Sequence, residues 1–313
     1  MAITDVLPAA GLLSGTSERD DAGKPGVLRY LWIAPIAISL LITTLYPLIF
    51  LISLALSKSS LGKPFKAFAG VKNFTLAFYD AQFLTSVAKT VVYAFSSSAV
   101  QLALGLAVAL LFRKLLKKNR ILVSLLLLPL ITPPVMVGVA WKLILAPAGG
   151  LLNGTLIKWG LLAQPISFLG DPTLGWISIF VADLWQWTPF VAILSFAALA
   201  SLPEGVEEAA VMDGTTPWQR FRLITLPLIA APLASIYLIK LIFSFKLFDL
   251  VYTLTYGGPG FATTTTGFSI YRLAMQQFEV GQAAAQTLIF ATLIGLLTLP
   301  VVRLHRRLEA KEL

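Results

Sequence analysis

The 313-residue chain contains no cysteine, which excludes a disulfide scaffold, thiol catalysis and any cysteine-ligated metal. It has a single histidine, His305, set among Arg303, Arg306 and Arg307. A metal site needs several convergent donors, so a solvated interfacial side chain is the expected role for this residue. A Gly-x-x-x-x-Gly-Lys-Ser/Thr phosphate loop is also missing, because Gly23-Lys24 and Gly62-Lys63 lack the partner glycine five residues earlier. The chain is therefore not expected to hydrolyse ATP by itself. Charge is scarce, at 12% Asp, Glu, Lys and Arg against 57% hydrophobic residues. Residues 1–28 lack the apolar core of a cleavable signal and are expected to form a flexible cytoplasmic tail, with the first apolar run retained.

What the chain does have is length of apolar sequence. Runs at 30–57, 86–112, 121–145, 174–199, 228–254 and 284–302 are each near or above what a helix needs to cross a hydrocarbon core, and mean hydropathy is +0.83. In lipid every peptide group must be paired internally, and the alternating pattern of a membrane barrel is absent, so an all-α polytopic bundle of six transmembrane helices is expected. The domain plan is a tail over 1–28, a membrane domain over 29–304 containing a loop at 200–227, and a short tail over 305–313. Six crossings place both termini on one side. Arg19, Lys24, Arg29, the basic run Arg113–Arg120, Arg220, Arg222 and the arginines of the C-terminal tail outnumber the basic residues of the opposite face, so the termini are assigned to the cytoplasm. Lys58, Lys63, Lys66 and Lys72 run against that bias. The net charge of +9 is read as a topology signal facing anionic lipid, with no aromatic-interleaved basic stripe for nucleic acid.

Between the fourth and fifth runs lies a polar island over 208–227. Ser201 and Glu204 match a capping box, which predicts a helix starting there and continuing through Glu207, Glu208, Ala209, Ala210 and Met212 to Asp213, with Gly214 as its left-handed terminator. Thr216-Pro217-Trp218-Gln219 repeats the box, with proline at the first helical position, and Pro227 stops or kinks the second helix. Ala209 and Ala210 thin one face so that the helix could sit in a groove on a soluble protein. Glu207, Glu208, Arg220 and Arg222 would then set the register. An ordinary interfacial hairpin remains the alternative from physics alone.

The fixed positions Glu208-Ala209-Ala210, Gly214 and Ile224-x-Leu226-Pro227 resemble the signature loop of membrane subunits from binding-protein-dependent ABC importers. Phe248–Pro259 resembles the end of the fifth span in the carbohydrate branch, and Gly149, Asn153, Gly154, Gly281 and Ala283–Ala285 fall where that branch has similar residues. Thr215 departs from the alanine common there. The resemblance implies a permease subunit, itself not an enzyme, that pairs with a second and different permease. It also implies two separate ATPase subunits that bind ATP and Mg2+ and dock on the 200–227 loop, and an extracytoplasmic solute-binding protein. The cargo it implies is a sugar, polyol or glycerol derivative, the location is the inner membrane of a bacterium or archaeon, and no cofactor is bound by this chain.

Ionisable groups inside a membrane normally face protein or a water-filled path. Lys246, Asp249 and Thr253 recur at helical spacing, so Lys246 and Asp249 are expected to neutralise each other, with solute contact as the alternative. Tyr252 joins them as a pathway candidate, whereas Lys240 lies on another face and is expected to snorkel or to meet a partner. Asp183, Gln186 and Trp187 share a face of the fourth run, beside Trp185, and form a second set of pathway candidates, with Pro189 expected to bend the helix. Pro129, Pro133 and Pro134 should break the third run beside a cavity. Outside, 58–85 and 146–173 could hold short amphipathic helices. Gly257, Gly258 and Pro259, ahead of the Thr263–Thr266 run, are candidates for a receptor-facing loop, with a plain turn the favoured reading. An ion-coupled secondary carrier would need paired repeats and a carboxylate site, and a membrane enzyme a convergent catalytic set; neither pattern is present.

Overall fold

The computed structural model describes residues 27–118, 120–203 and 205–312. The expected N-terminal tail, up to residue 26, and the capping role of Glu204 lie outside the described residues. The chain divides into two units, 1–50 and 51–313. Helix α1 (Val27–Ala55), whose last five residues belong to the second unit, has an apolar stretch from Ile33 to Ala55 of 23 residues. At 1.5 Å per residue it is about 35 Å long, enough to cross a bilayer core.

In the second unit, three long helices carry spans by themselves: α3 (Ala81–Lys118), α7 (Pro172–Ala200) and α13 (Val280–Glu312). The other two apolar runs are bent pairs. α4 (Arg120–Ile131) meets α5 (Pro134–Ile144) at 88°, with Thr132 and Pro133 between them. Proline has no amide proton and clashes with the preceding turn, so the break falls where the proline spacing predicts it. The second pair joins Pro217–Leu228 to α11 (Ala230–Phe245) at 69°. A π-helical turn over Phe221–Thr225 and the short helix α10 (Leu226–Leu228) precede that bend. The fifth span ends earlier than expected, at Phe245, and resumes as a separate π-helical turn over Val251–Thr255. α7, by contrast, runs unbroken through Pro189.

The interior is built where α3 and α7 lie together. Tyr93, Val137, Ile179, Leu250 and Phe268 form one apolar cluster, and Ala109, Val191, Leu199, Ile229 and Leu233 form another nearer the loop at 200–227. A third joins Leu54 and Ala55 to Ala284 and Ala285 on α13.

One element differs in kind from expectation. The segment after α1 is a hairpin, β1 (Ser57–Ser60) antiparallel to β2 (Lys63–Phe68), with Ser57 opposite Phe68 and Ser60 opposite Lys63. Leu61-Gly62 is a two-residue connection, the length that favours hairpins, and the Ser59 hydroxyl accepts from the Phe65 amide at 2.9 Å. Only the following stretch is helical, as α2 (Lys72–Tyr79). The 146–173 loop does contain the short helix expected there, α6 (Leu151–Lys158). Asn153 ties that loop together through bonds to Ala146 and Ile166.

Candidate functional site

The 200–227 loop folds as two short helices, α8 (Val206–Met212) and α9 (Pro217–Arg220), joined at Gly214. Gly214 has φ +74°, a conformation glycine adopts without steric cost. The second box is present: Thr216 Oγ1 accepts from the Gln219 amide at 3.3 Å, and Gln219 Oε1 accepts from the Thr216 amide at 2.9 Å. The first box is corrected. Ser201 closes α7 and its hydroxyl donates to the Ala198 carbonyl at 2.9 Å, while α8 starts only after Gly205, at φ +85°. The sequence Ser-Leu-Pro suits the end of a long helix as well as the start of a short one, and α7 satisfied the serine first.

The elbow's charges divide by task. Arg113 at the end of α3 pairs with Glu207 at 2.5 Å and reaches the Leu199 carbonyl at 3.5 Å, so Glu207 fastens the elbow to a transmembrane helix. Glu208, Ala209, Asp213 and Arg222 are exposed, and Arg220 is half-buried. Ala210 faces inward at 4% exposure, and its carbonyl accepts from the Thr215 hydroxyl at 2.6 Å. Of the two alanines, Ala209 therefore presents the thin outer face. Met212 is 87% exposed and Trp218 66%, with Val211 and Leu223 also open. That is an apolar edge on an otherwise polar loop.

Within the bundle, five of the pathway candidates converge. Asp183, Gln186, Trp187, Lys246 and Asp249 all line one cavity of about 200 Å³, together with Pro134, Phe243 and Ser244. Lys246 and Asp249 form no ion pair with each other. α11 stops at Phe245, so the helical spacing that would bring them together does not continue past it. The pair that does form is one the sequence spacing did not reveal: Lys240 Nζ lies 3.4 Å from Asp183 Oδ2, with both side chains almost fully buried. Gln101 on α3 donates to the same oxygen at 2.8 Å, and Lys240 also sits 5.1 Å over the Trp187 ring. Lys240 thus neither snorkels nor awaits a partner. Gln186 donates to the Thr132 carbonyl at 3.1 Å, satisfying an acceptor freed at the α4–α5 break, while its own Oε1 is buried without a donor among the described residues.

The remaining candidates lie elsewhere. Thr253 donates to the Asp249 carbonyl at 2.7 Å, and Tyr252 belongs to an aromatic cluster with Phe248, Phe268 and Tyr271. Gly257 is buried and Gly258 and Pro259 are half-buried, with a cis peptide bond between the last two. Thr263–Thr266 are all buried and bond inward, Thr263 to Gly258, Thr264 to Gly257, Thr265 to Leu247 and Thr266 to Thr90. This is a stitched turn. His305 contacts Glu309 at 3.2 Å and the Ser235 hydroxyl at 3.3 Å. Among the described residues no group of three histidine or carboxylate side chains converges as a metal site.

A helical bundle with an anchored, apolar-edged elbow and a polar cavity beside a broken helix defines a multispan transport subunit. Residues 101–312 match the family described as binding-protein-dependent transport system inner membrane component, and the chain belongs to it. It is 33% identical over 254 residues to the trehalose/maltose transport system permease protein MalF of Thermococcus litoralis, covering 81% of this chain and 84% of that one. It is 29% identical over 241 residues to the sn-glycerol-3-phosphate transport system permease protein UgpA of Yersinia pestis, covering 77% and 81%. Among solved structures it resembles a bacterial alginate ABC transporter in complex with an alginate pentasaccharide-bound periplasmic protein. There the TM-score is 0.77 at 25% identity, over 90% of this chain and 94% of that one. The chain is an importer permease and a transport subunit, with ATP hydrolysis left to a separate subunit, and membership in this family removes the secondary-carrier alternative.

Proposed function

We propose that this chain forms half of the pathway by which a sugar, polyol or glycerol derivative enters the cell, driven by two separate ATPase subunits that bind ATP and Mg2+ and dock on the 200–227 elbow. A second, different permease supplies the other half, and an extracytoplasmic solute-binding protein delivers cargo on the face opposite the elbow. The termini are cytoplasmic. The carbohydrate assignment rests on the trehalose/maltose and glycerol-phosphate relatives and on the alginate-bound complex. Chemistry supports it: the cavity offers carboxylate, ammonium and hydroxyl groups beside an indole ring, and the donor-free Gln186 Oε1 can accept from a solute hydroxyl.

The observation that carries the reading is the elbow's division into a fastened side and an open side. Arg113–Glu207 ties it to α3, while Val211, Met212 and Trp218 remain exposed. An ATPase gripping the open side would move the elbow as a lever. Through the bend at Ile229 that motion reaches α11, which carries Phe243 and Ser244 to the cavity. The two access states then differ in how tightly the ATPase and the solute are held, which is the condition for any such switch. The test is co-purification of the tagged chain with its ATPase. Glu208→Arg and Gly214→Pro should each lower the retained ATPase by about tenfold or more, as expected when a well-packed contact is lost, with the permease still inserted. Undiminished retention in both variants would remove the docking assignment.

A further inference from the structure

The lysines at 58, 63, 66 and 72 oppose the charge rule that sets topology, and the elbow and cavity do not use them. The hairpin and α2 place three of them around one groove. A cavity of about 330 Å³ is lined by Lys58, Lys66 and Lys72, with Asn73, Gln282 and a single carboxylate, Glu279. No acidic residue occurs between Ser57 and Tyr79. The groove is built rather than incidental. Asn73 is buried and donates to the carbonyls of Ala55 at 2.8 Å and Ser57 at 2.9 Å, locking α2 to the end of α1. Gly281 brings the first turn of α13 so close that a Cβ there would lie 2.4 Å from the Ser57 carbonyl.

Position fixes what the groove meets. The first turn of α13 lines it and its hairpin follows directly on the end of α1, both ends of apolar spans, so it lies at the boundary between hydrocarbon and water. Phe65 and Phe68 on β2 and Phe78 and Tyr79 on α2 are exposed, Phe68 at 81% and Tyr79 at 89%, as aromatic side chains are at a headgroup layer. Ammonium groups bind phosphate as compact point charges, and each lysine near an anionic surface adds about fivefold to the affinity.

We propose that this groove binds the phosphate of an anionic phospholipid headgroup in the outer leaflet, fixing the hairpin to the membrane surface. The proposal rests on the cytoplasmic assignment of the termini, which is tested separately: the chain has no cysteine, so Ser60→Cys gives a single thiol. A membrane-impermeant maleimide should label it from outside only, and labelling from the cytoplasm alone would overturn the orientation itself.

For the groove, the full transporter is delipidated and reconstituted in nanodiscs of phosphatidylcholine with or without 30% phosphatidylglycerol, and co-purifying lipid is counted by native mass spectrometry. Phosphatidylglycerol should be retained preferentially, and Lys58→Gln/Lys66→Gln/Lys72→Gln together should cut that preference on the order of 100-fold. Lys142→Gln, remote from the groove, should leave it intact. Equal loss in both variants, or no preference at all, would overturn the proposal. So would displacement of the lipid by millimolar inorganic phosphate, which would mark a soluble-anion site. Receptor binding in pure phosphatidylcholine that falls in the triple variant, with lipid retention unchanged, would assign the lysines to an acidic protein surface and overturn it as well.

Discussion

The elbow and the Asp183 cluster are both polar regions in an apolar chain, and they satisfy their polar groups by opposite means. In the elbow the bonds are local. Thr216 and Gln219 close each other's amides, Thr215 bonds Ala210, and Gly214 supplies the turn. The apolar side chains are then left outside. In the Asp183 cluster the bonds join separate spans: Gln101 from α3, Asp183 from α7 and Lys240 from α11. A region proposed to be gripped by another protein can be made complete in itself. A charged region at membrane depth has only its neighbouring helices to draw on, because unpaired charge there costs several kcal/mol.

The largest expected effect removes one member of the buried pair. Lys240→Ala leaves Asp183 with Gln101 as its side-chain donor, and breaking a buried pair in this way costs about 3–5 kcal/mol. Replacing both, as Lys240→Met with Asp183→Leu, removes the uncompensated charge and should recover most of that loss. Thermal unfolding in detergent measures both. If the single variant melts with the parent, the three-helix cluster contributes nothing to stability and the contrast with the elbow disappears.

This difference also governs what could be read from the residues alone. The apolar runs became helices, and the break at Pro133 and Pro134 and the box at Thr216 followed from chemistry within a few residues. Lys240 with Asp183 did not, since they stand 57 positions apart and meet only once α7 and α11 pack. The available clue was that each was an ionisable residue in an apolar run, so that each needed a partner. Lys246 with Asp249 failed because the spacing rule assumes a continuous helix and α11 ends at Phe245, just before them. The hairpin was missed because one Leu-Gly connection is a weak signal beside runs that also suit short helices. Ser201 satisfied two readings, and the longer helix claimed it.

On the elbow side the sharpest probe is Gly214. A Cβ there would meet nothing within 4 Å, so substitution tests the backbone alone. At φ +74° an alanine costs roughly 1–2 kcal/mol, and an asparagine less because it tolerates the left-handed region. Hydrogen exchange should show faster opening of the amides of α8 and α9 in Gly214→Ala and a smaller change in Gly214→Asn. Equal effects from the two would show that something other than this torsion holds the turn.

The smallest effect belongs to the cap. Thr216→Ala removes the acceptor for the Gln219 amide from an exposed four-residue helix, at a cost of about 1 kcal/mol. The expected loss is confined to protection at Gln219 and Arg220, with the melting temperature of the bundle unchanged and Thr216→Ser close to the parent. That confinement is the substance of the comparison. A locally completed region loses only itself when one bond is cut, whereas the Asp183 cluster transmits its loss to three spans. A fall in whole-protein melting temperature from Thr216→Ala would show that the elbow is energetically part of the bundle, and that the Arg113–Glu207 tie carries more than position.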